Sequence, residues 1–155
     1  MTAQLYRPQF PYASVPECTE EQFHYTFDSN NTSAMGNSIP AGGLLLNVPL
    51  PLEPDAAFLW RGFKIRDTDL AVRLKDPYGN YLSMAFIPVA LYGDTPIDST
   101  GSEGGFCVPW GQGIYCPLGG NVFVDFYNPT DGALIPTAIA LYGLKRFIRR
   151  EPVCK

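Results

Sequence analysis

The stretch that decides the fold runs from Leu70 to Asn80 and reads LAVRLKDPYGN. Its apolar residues Leu70, Val72 and Leu74 alternate with other side chains, which is the period of a half-buried strand. The Asp-Pro-Tyr-Gly-Asn run that follows is a strong turn signal. Residues 81–92 are expected to return as the partner strand. The stretch therefore predicts an antiparallel β-hairpin.

Similar patterns lie on both sides of this hairpin. Residues 44–50 are apolar, residues 57–66 are rich in aromatic side chains, and residues 121–127 place alternate apolar side chains on one face. A second turn signal at residues 128–132 leads into a long final strand, which we predict for residues 133–147. Strands at such short intervals, separated by turns, predict an all-β protein.

The composition excludes a helical bundle. Fifteen glycines and fifteen prolines among 155 residues leave no room for long uninterrupted helices. Aromatic residues make up 14% of the chain and suit the surfaces of β-sheets. We therefore predict a single β-sandwich of the jelly-roll type. Its predicted core is drawn from Leu44, Leu46, Trp60, Phe63, Leu74, Leu82, Phe86, Val122, Val124, Phe126, Ile139 and Leu141.

The chain divides into three parts. Residues 1–43 are interrupted by four prolines and several polar clusters, and they predict an extended N-terminal arm with one short strand. Residues 44–147 form the predicted sandwich domain, and residues 148–155 form a basic tail. The arm has too few apolar residues for a core of its own, so it must bind something to become ordered.

Both ends of the chain are expected to contact neighbouring subunits. In the arm, residues 22–27 alternate like a strand whose backbone groups need a partner sheet. Five of the eleven basic residues lie in the last eleven positions, and their charges suit carboxylates on an acidic surface. We expect a chain that lacks residues 1–38 to fold without binding its partner. The predicted partner-binding residues are Phe23, Tyr25, Phe27, Lys145, Arg146, Arg149 and Arg150.

Charge and hydropathy argue against two classes of partner. The formal net charge of −4 repels the phosphates of nucleic acids, so no nucleic acid partner is predicted. No apolar run approaches the roughly 20 residues of a membrane helix, so no membrane partner is predicted either. The first residues lack the apolar core of a secretion signal, which favours synthesis in a cytoplasm.

Catalytic and metal-binding patterns are sparse. His24 is the only histidine, so every Ser–His–Asp or Cys–His arrangement would have to use it. Carboxylates stand close together at Asp67 and Asp69, and again at Asp94 and Asp98. These pairs leave a glycosidase site or a calcium site open, although aspartates are far commoner in turns. We predict that the protein is not an enzyme, and we assign no catalytic residue, no cofactor and no metal ligand.

Four segments carry a resemblance to a known group of proteins. They are FLWRGFKI at residues 58–65, VRLKDPYGNYLS at 72–83, VFVDFYN at 122–128 and IALYGLKRF at 139–147. Over residues 39–147 the chain resembles small virion proteins of tailed bacteriophages, especially capsid decoration (cement) proteins and head or collar proteins. The resemblance implies a structural protein on the capsid surface. Its partners would be the major capsid protein and neighbouring copies of itself, in a homo-oligomer.

Aromatic side chains leave an alternative open. A carbohydrate-binding β-sandwich module, or a receptor-binding protein of the collar or tail fibre, would stack such side chains on sugar rings. Binding to glycans would favour this alternative, whereas binding to capsid shells alone would favour the virion role. The candidate side chains are Trp60, Tyr78, Tyr81, Trp110 and Tyr115.

The four cysteines give a prediction about redox state. No two of them form a C-x-x-C pair, but Cys107 and Cys116 flank a glycine-containing turn, where a hairpin would bring them close together. In a reducing cytoplasm such residues are buried thiols, so we expect both to be reduced in purified protein. The mass of the protein after thiol alkylation measures this. A quantitative disulfide would contradict it.

Overall fold

The computed structural model describes residues 18–92 and 113–148, which form an all-β protein with two short 3-10 helices. The eight strands in these residues build two four-stranded antiparallel sheets, which pack as a β-sandwich. In chain order the strands are β1 (Cys18–Phe27), β2 (Leu44–Pro51), β3 (Ala57–Ile65), β4 (Ala71–Lys75), β5 (Ile87–Pro88), β6 (Ile114–Cys116), β7 (Asn121–Tyr127) and β8 (Ile139–Ile148). The 3-10 helices are Ser33–Gly36 and Val89–Tyr92.

Strands that follow one another in the chain mostly belong to different sheets. The first sheet has the order β1-β8-β3-β6, and the second has the order β2-β7-β4-β5. Among the described strands, only β4 and β5 are consecutive in the chain and lie in the same sheet. In every other pair of consecutive described strands, the two members lie in different sheets, so the core between the sheets must form as one unit.

The core consists of the inward-facing side chains of both sheets. The alternation in β7 puts Val122, Val124 and Phe126 inside, where all three are fully buried. Opposite them, β3 and β8 supply their own buried residues. Of the predicted core residues, those confirmed as buried are Trp60, Phe63, Leu74, Val122, Val124, Phe126, Ile139 and Leu141. Leu82 and Phe86 are half-buried.

The prediction that Leu44 and Leu46 lie in the core is wrong. Their exposed fractions are 52% and 48%, because a β-bulge between Leu45 and Val48 shifts the register of β2 against β7. A shift of one residue exchanges the two faces of a strand. Beyond the bulge, Val48 and Leu50 therefore face the core.

The hairpin that begins with β4 is shorter than predicted. Its turn forms as expected, because the Asp76 carboxylate accepts hydrogen bonds from the backbone N–H groups of Tyr78 and Asn80 at 2.9 and 2.8 Å. The returning strand, however, contains only Ile87–Pro88. Pro88 has no N–H to donate to a ladder, and the chain continues as a 3-10 helix instead of a strand. The final strand also begins later than predicted, at Ile139.

The structure corrects the prediction for the N-terminal arm. All ten residues of β1 pair with β8 of the same chain, without a register shift. Tyr25 and Phe27 lie in the core with exposed fractions of 7% and 4%, and Met35 and Ile39 are buried beside them. The expectation that residues 18–38 lie on a neighbouring subunit and not on their own sandwich is therefore wrong, because they complete this sandwich. Residues 1–17 lie outside the described part of the chain.

Close packing of β3 against β8 depends on a glycine. A second β-bulge, between Trp60 and Gly62, lets β3 follow β8, and the Trp60 Nε1–H donates to the Gly62 carbonyl at 2.8 Å. At this point the backbones approach so closely that a Cβ on Gly143 would lie 2.0 Å from the Leu59 carbonyl oxygen. Backbone atoms cannot move aside as a flexible side chain can, so only glycine fits here.

We predict that Gly143→Ala strongly destabilises the protein. The added methyl group forces β3 and β8 apart, and overpacking of this kind costs about 3 kcal/mol in the free energy of unfolding. Gly132→Ala is the matched control, because a Cβ at Gly132 would have no neighbour within 4 Å. Urea denaturation compares the two variants. Equal midpoints would contradict the close approach of the two strands.

Candidate functional site

The outward face of the second sheet carries a buried carboxylate. Since Val124 and Phe126 point into the core, Asp125 between them points outward, yet it is fully buried. On the neighbouring strand β4, Arg73 lies directly opposite Asp125 in the register. Lys75 follows on the same face of β4. We call Asp125, Arg73, Lys75, Asn47 and Tyr81 the Asp125 cluster.

Hydrogen bonds satisfy both oxygens of this carboxylate. Arg73 donates from Nη2 and Nε to Oδ2 of Asp125, at 2.9 and 3.3 Å. The backbone N–H of Asn47 donates to Oδ1 at 2.7 Å. Asn47 has a positive φ of 56° in the bulge of β2, which turns its N–H toward Asp125. The buried charge thereby fixes the irregular part of this edge strand.

Two cations share the single carboxylate. Lys75 Nζ lies 3.5 Å from Asp125 Oδ1 and also donates to the Asn47 side-chain oxygen. With Arg73 on the other oxygen, the cluster holds two positive charges against one negative charge. This excess positive charge faces an aromatic side chain.

Tyr81 covers the two cations. The Arg73 guanidinium carbon lies 4.0 Å from the centroid of the Tyr81 ring, and Lys75 Nζ lies 4.6 Å from it. Arg73 Nη2 also donates to the Tyr81 hydroxyl at 3.2 Å. Phe86 flanks the same guanidinium at 4.7 Å. Tyr81 remains 47% exposed. Its ring is therefore fixed in place by the two cations on one side and is accessible to solvent on the other.

Apolar side chains surround the cluster on this face. Leu44 and Leu46 on β2 are about half exposed, and Pro49 and Pro51 further along the strand are also exposed. Tyr78 in the turn after β4 is 66% exposed. A rigid aromatic and arginine centre with an apolar surround is typical of protein-binding surfaces.

A second buried charge lies at the end of the first sheet. Lys145 is only 4% exposed, and its Nζ donates to Glu53 and lies 3.7 Å from Asp55 Oδ1. The same Nζ lies 3.9 Å from the centroid of the Phe23 ring and 5.3 Å from that of Tyr25. Burial alone would lower the pKa of Lys145, but the hydrogen bond to Glu53 and the nearby charges raise it above its ordinary value.

The structure thus brings three of the predicted partner-binding residues together inside one chain. Lys145 contacts the rings of Phe23 and Tyr25 and donates to Glu53, whose backbone N–H in turn donates to the Tyr25 hydroxyl at 3.4 Å. Lys145 is therefore covered within its own chain, and its role in binding a partner stays a prediction. A buried ammonium group needs its counter-ion nearby, and the chain supplies one.

The other predicted residues have separate positions. Phe27 is buried in the core, and Arg146 forms an exposed ion pair with Glu20 at 2.6 Å. Of the sugar-stacking candidates, Trp60 is fully buried, whereas Tyr115 on the first sheet is 49% exposed. Outside the described residues lie Asp94, Asp98, Cys107, Trp110, Arg149 and Arg150.

Within the described residues, Cys116 carries a free thiol in the core. Its Sγ donates to the Ile114 carbonyl at 3.7 Å, and burial raises its pKa to about 12. A thiol with this pKa is protonated at neutral pH and is a poor nucleophile. Its predicted proximity to Cys107 stays a prediction.

Two further candidates for chemistry have other contacts. Both oxygens of Asp67 accept hydrogen bonds from Thr137, from its backbone N–H and its hydroxyl, each at 2.8 Å. His24 is exposed on β1, and its ring lies 5.8 Å from that of Tyr142. In the two described ranges, no three His, Cys, Asp or Glu side chains converge as metal ligands. No described helix has the length and hydropathy to cross a membrane.

No model of a known protein family matches this chain, and no curated protein is significantly similar to it.

The sequence analysis missed the Asp125 cluster. Alternation alone puts Arg73 and Lys75 on one face of β4 and Asp125 on the outward face of β7. What the sequence does not give is the long-range pairing of these two strands, or the bulge that adds Asn47. The signal in the sequence that could have indicated the cluster is Asp125, a charged residue in the otherwise apolar stretch of residues 122–127.

We predict that Asp125→Asn destabilises the protein although it preserves the shape of the side chain. It removes the negative charge that pairs with half-buried Arg73 and buried Lys75, and breaking a buried ion pair in this way costs about 3 kcal/mol. The exposed residue Asp131 provides the matched control, Asp131→Asn. Thermal unfolding of both variants is the measurement. If the two variants unfold at the same temperature, the cluster has no structural role.

Proposed function

We propose that the protein is a structural virion protein of a tailed bacteriophage, most specifically a capsid decoration (cement) protein. In this role its β-sandwich is a jelly roll that bridges and stabilises neighbouring subunits of the major capsid protein. The observation that carries the proposal is the strand order of the two sheets.

The pairing of the strands supports a jelly roll. Neighbouring pairs are β1·β8, β2·β7, β3·β6 and β4·β5, so the first half of the chain pairs in reverse order with the second half. This is the arrangement of one long antiparallel hairpin that is rolled up into two sheets. Eight-stranded jelly rolls of this kind serve as capsid and lectin domains.

The distribution of charge supports a docking role for the second sheet. Lys145 and Asp125 are both neutralised inside the chain, and therefore neither needs a partner. The face with Tyr81, Leu44 and Leu46 offers aromatic and apolar side chains on a rigid base. Such anchors contribute most of the energy of protein interfaces, and many symmetric copies add up to firm binding on a shell.

The C-terminal tail would contribute less to binding than the second sheet does. Arg149 and Arg150 would meet carboxylates of the capsid surface, where exposed ion pairs contribute only about 0–1 kcal/mol each. They would adjust the position of the docked protein, whereas the face around Tyr81 would supply most of the affinity.

Carbohydrate binding is the second candidate, and the same tyrosine favours it. The exposed Tyr81 ring is held from beneath by Arg73 and Lys75, and Tyr78 is exposed nearby. Rigid aromatic rings stack on sugar rings, and lectins also use the jelly roll. In a phage this activity would belong to a receptor-binding protein of the collar or tail fibre.

We predict that Tyr81→Ala weakens binding to capsid shells at least tenfold. The shells are assembled from the major capsid protein of the same genome, and co-sedimentation measures the affinity. Tyr115→Ala is the matched control, because Tyr115 is equally exposed at 49% but lies on the other sheet. It should bind like the unchanged protein.

Other outcomes decide against the proposal. If the unchanged protein does not bind shells but binds an oligosaccharide on a glycan array, the carbohydrate-binding function replaces the virion role. If shells are bound and Tyr115→Ala is the weaker variant, the docking face is the first sheet.

A further inference from the structure

The four edge strands of the sandwich differ in how they are protected. β5 has two residues and ends in Pro88, and β6 has only three residues. β2 is longer, but it contains Pro49 and Pro51 and the bulge at Asn47. Short strands, prolines and bulges all prevent a second chain from pairing with an edge. These three edges are therefore closed to another strand.

β1 is the exception. It is ten residues long, contains no proline and pairs with β8 without a register shift. Among the described residues, no strand pairs with its other side. Glu20 and Glu21 are charged, but both lie near one end, and the strand carries no lysine. A long regular edge of this kind is a template for strand addition.

We propose that two copies of this chain pair through β1, antiparallel and about a two-fold axis. The first sheets of the two copies then join into one continuous eight-stranded sheet. This extends the proposed function by naming a second copy as the partner, while its physical basis is the edge of β1 alone. The contact is isologous, so it closes at the dimer and leaves no further edge open.

Strand geometry limits the register of this pairing. Directly opposed residues of antiparallel strands point to the same face of a sheet. The two-fold axis must therefore lie midway between the two copies of one residue, so that this residue faces itself across the interface. With the axis at Phe23, Gln22 faces His24 of the second copy, and Glu20 faces Thr26 of the second copy. All of these residues except Phe23 are exposed in the single chain.

The charges select the antiparallel arrangement. Parallel pairing in register would put Glu20 and Glu21 beside the same residues of the second copy, and like charges in opposed positions are destabilising. Antiparallel pairing about Phe23 moves the two acidic pairs to opposite ends of the ribbon. There Glu20 keeps its ion pair with Arg146 of its own chain.

A lysine on this edge should separate the two copies. Gln22→Lys places two ammonium groups close to the two-fold axis, and edge lysines are a natural means of blocking strand pairing. Gln22 is exposed, so the single chain should keep its fold. Leu46→Lys is the matched control, because it adds the same charge to the edge strand of the other sheet.

Sedimentation equilibrium of the full chain is the test. We expect twice the chain mass for the unchanged protein and for Leu46→Lys, and a dimer dissociation constant at least tenfold higher for Gln22→Lys. A monomeric unchanged protein at about 100 µM overturns the proposal. So does a Gln22→Lys variant that dimerises normally. A monomeric Leu46→Lys variant overturns it too, by locating the interface on the second sheet.

Isotope-filtered NMR of a mixed labelled and unlabelled sample gives an independent check on the unchanged protein. We expect cross-strand contacts between Gln22 of one copy and His24 of the other. Their absence from a dimeric sample overturns the proposal. Because these measurements use free protein, they are separate from shell binding: a β1-paired dimer that ignores shells would contradict only the decoration role.

Discussion

Strand β8 has to be paired along both of its edges, and the rest of the sandwich depends on this constraint. On one side it pairs with β3, across a bulge and a close approach at Gly143. On the other side it pairs with all of β1. Without β1, a strand with the apolar residues Ile139 and Leu141 would become the edge of the sheet, and the core side chains Tyr25 and Phe27 would be missing. Loss of two large buried side chains costs several kcal/mol, which is much of the stability of a small domain.

The buried charges, like β8, find their partners within the same chain. Asp125 fixes the bulge of β2 through the Asn47 N–H, and Lys145 ties β8 to the loop with Glu53 and Asp55. Each would be costly if it were left without a partner, and each has a partner in its own chain. As a result, the described residues offer other molecules an apolar and aromatic surface on the second sheet, and on the first sheet a backbone edge that no described strand covers.

Sequence patterns predicted the local features well. The alternation in residues 70–75 and 121–127 and the Asp76 turn all appear in the structure, because each depends on neighbours close in the chain. The failures involve pairing at long range. No local pattern shows that Cys18–Phe27 pairs with the last strand, or that a bulge turns Leu44 and Leu46 outward. The virion role came from resemblance and remains a proposal.

The functional proposals rest on the surfaces that the described strands leave uncovered. If β1 is an integral strand, the edge that no described strand covers is a fixed feature with which a second copy can pair, and the Tyr81 face is a second, independent surface. If β1 were only loosely attached, the first sheet would lose both its outer strand and its open edge. The place of β1 in the sheet is thus the central structural claim.

Native-state hydrogen exchange at the backbone amides of β1 tests this claim most directly. The amides that bond to β8 should exchange only on global unfolding, with the same free energy as amides in the centre of β8 and β3. Exchange of β1 at the rate of an unstructured peptide, while β8 stays protected through β3, would contradict it.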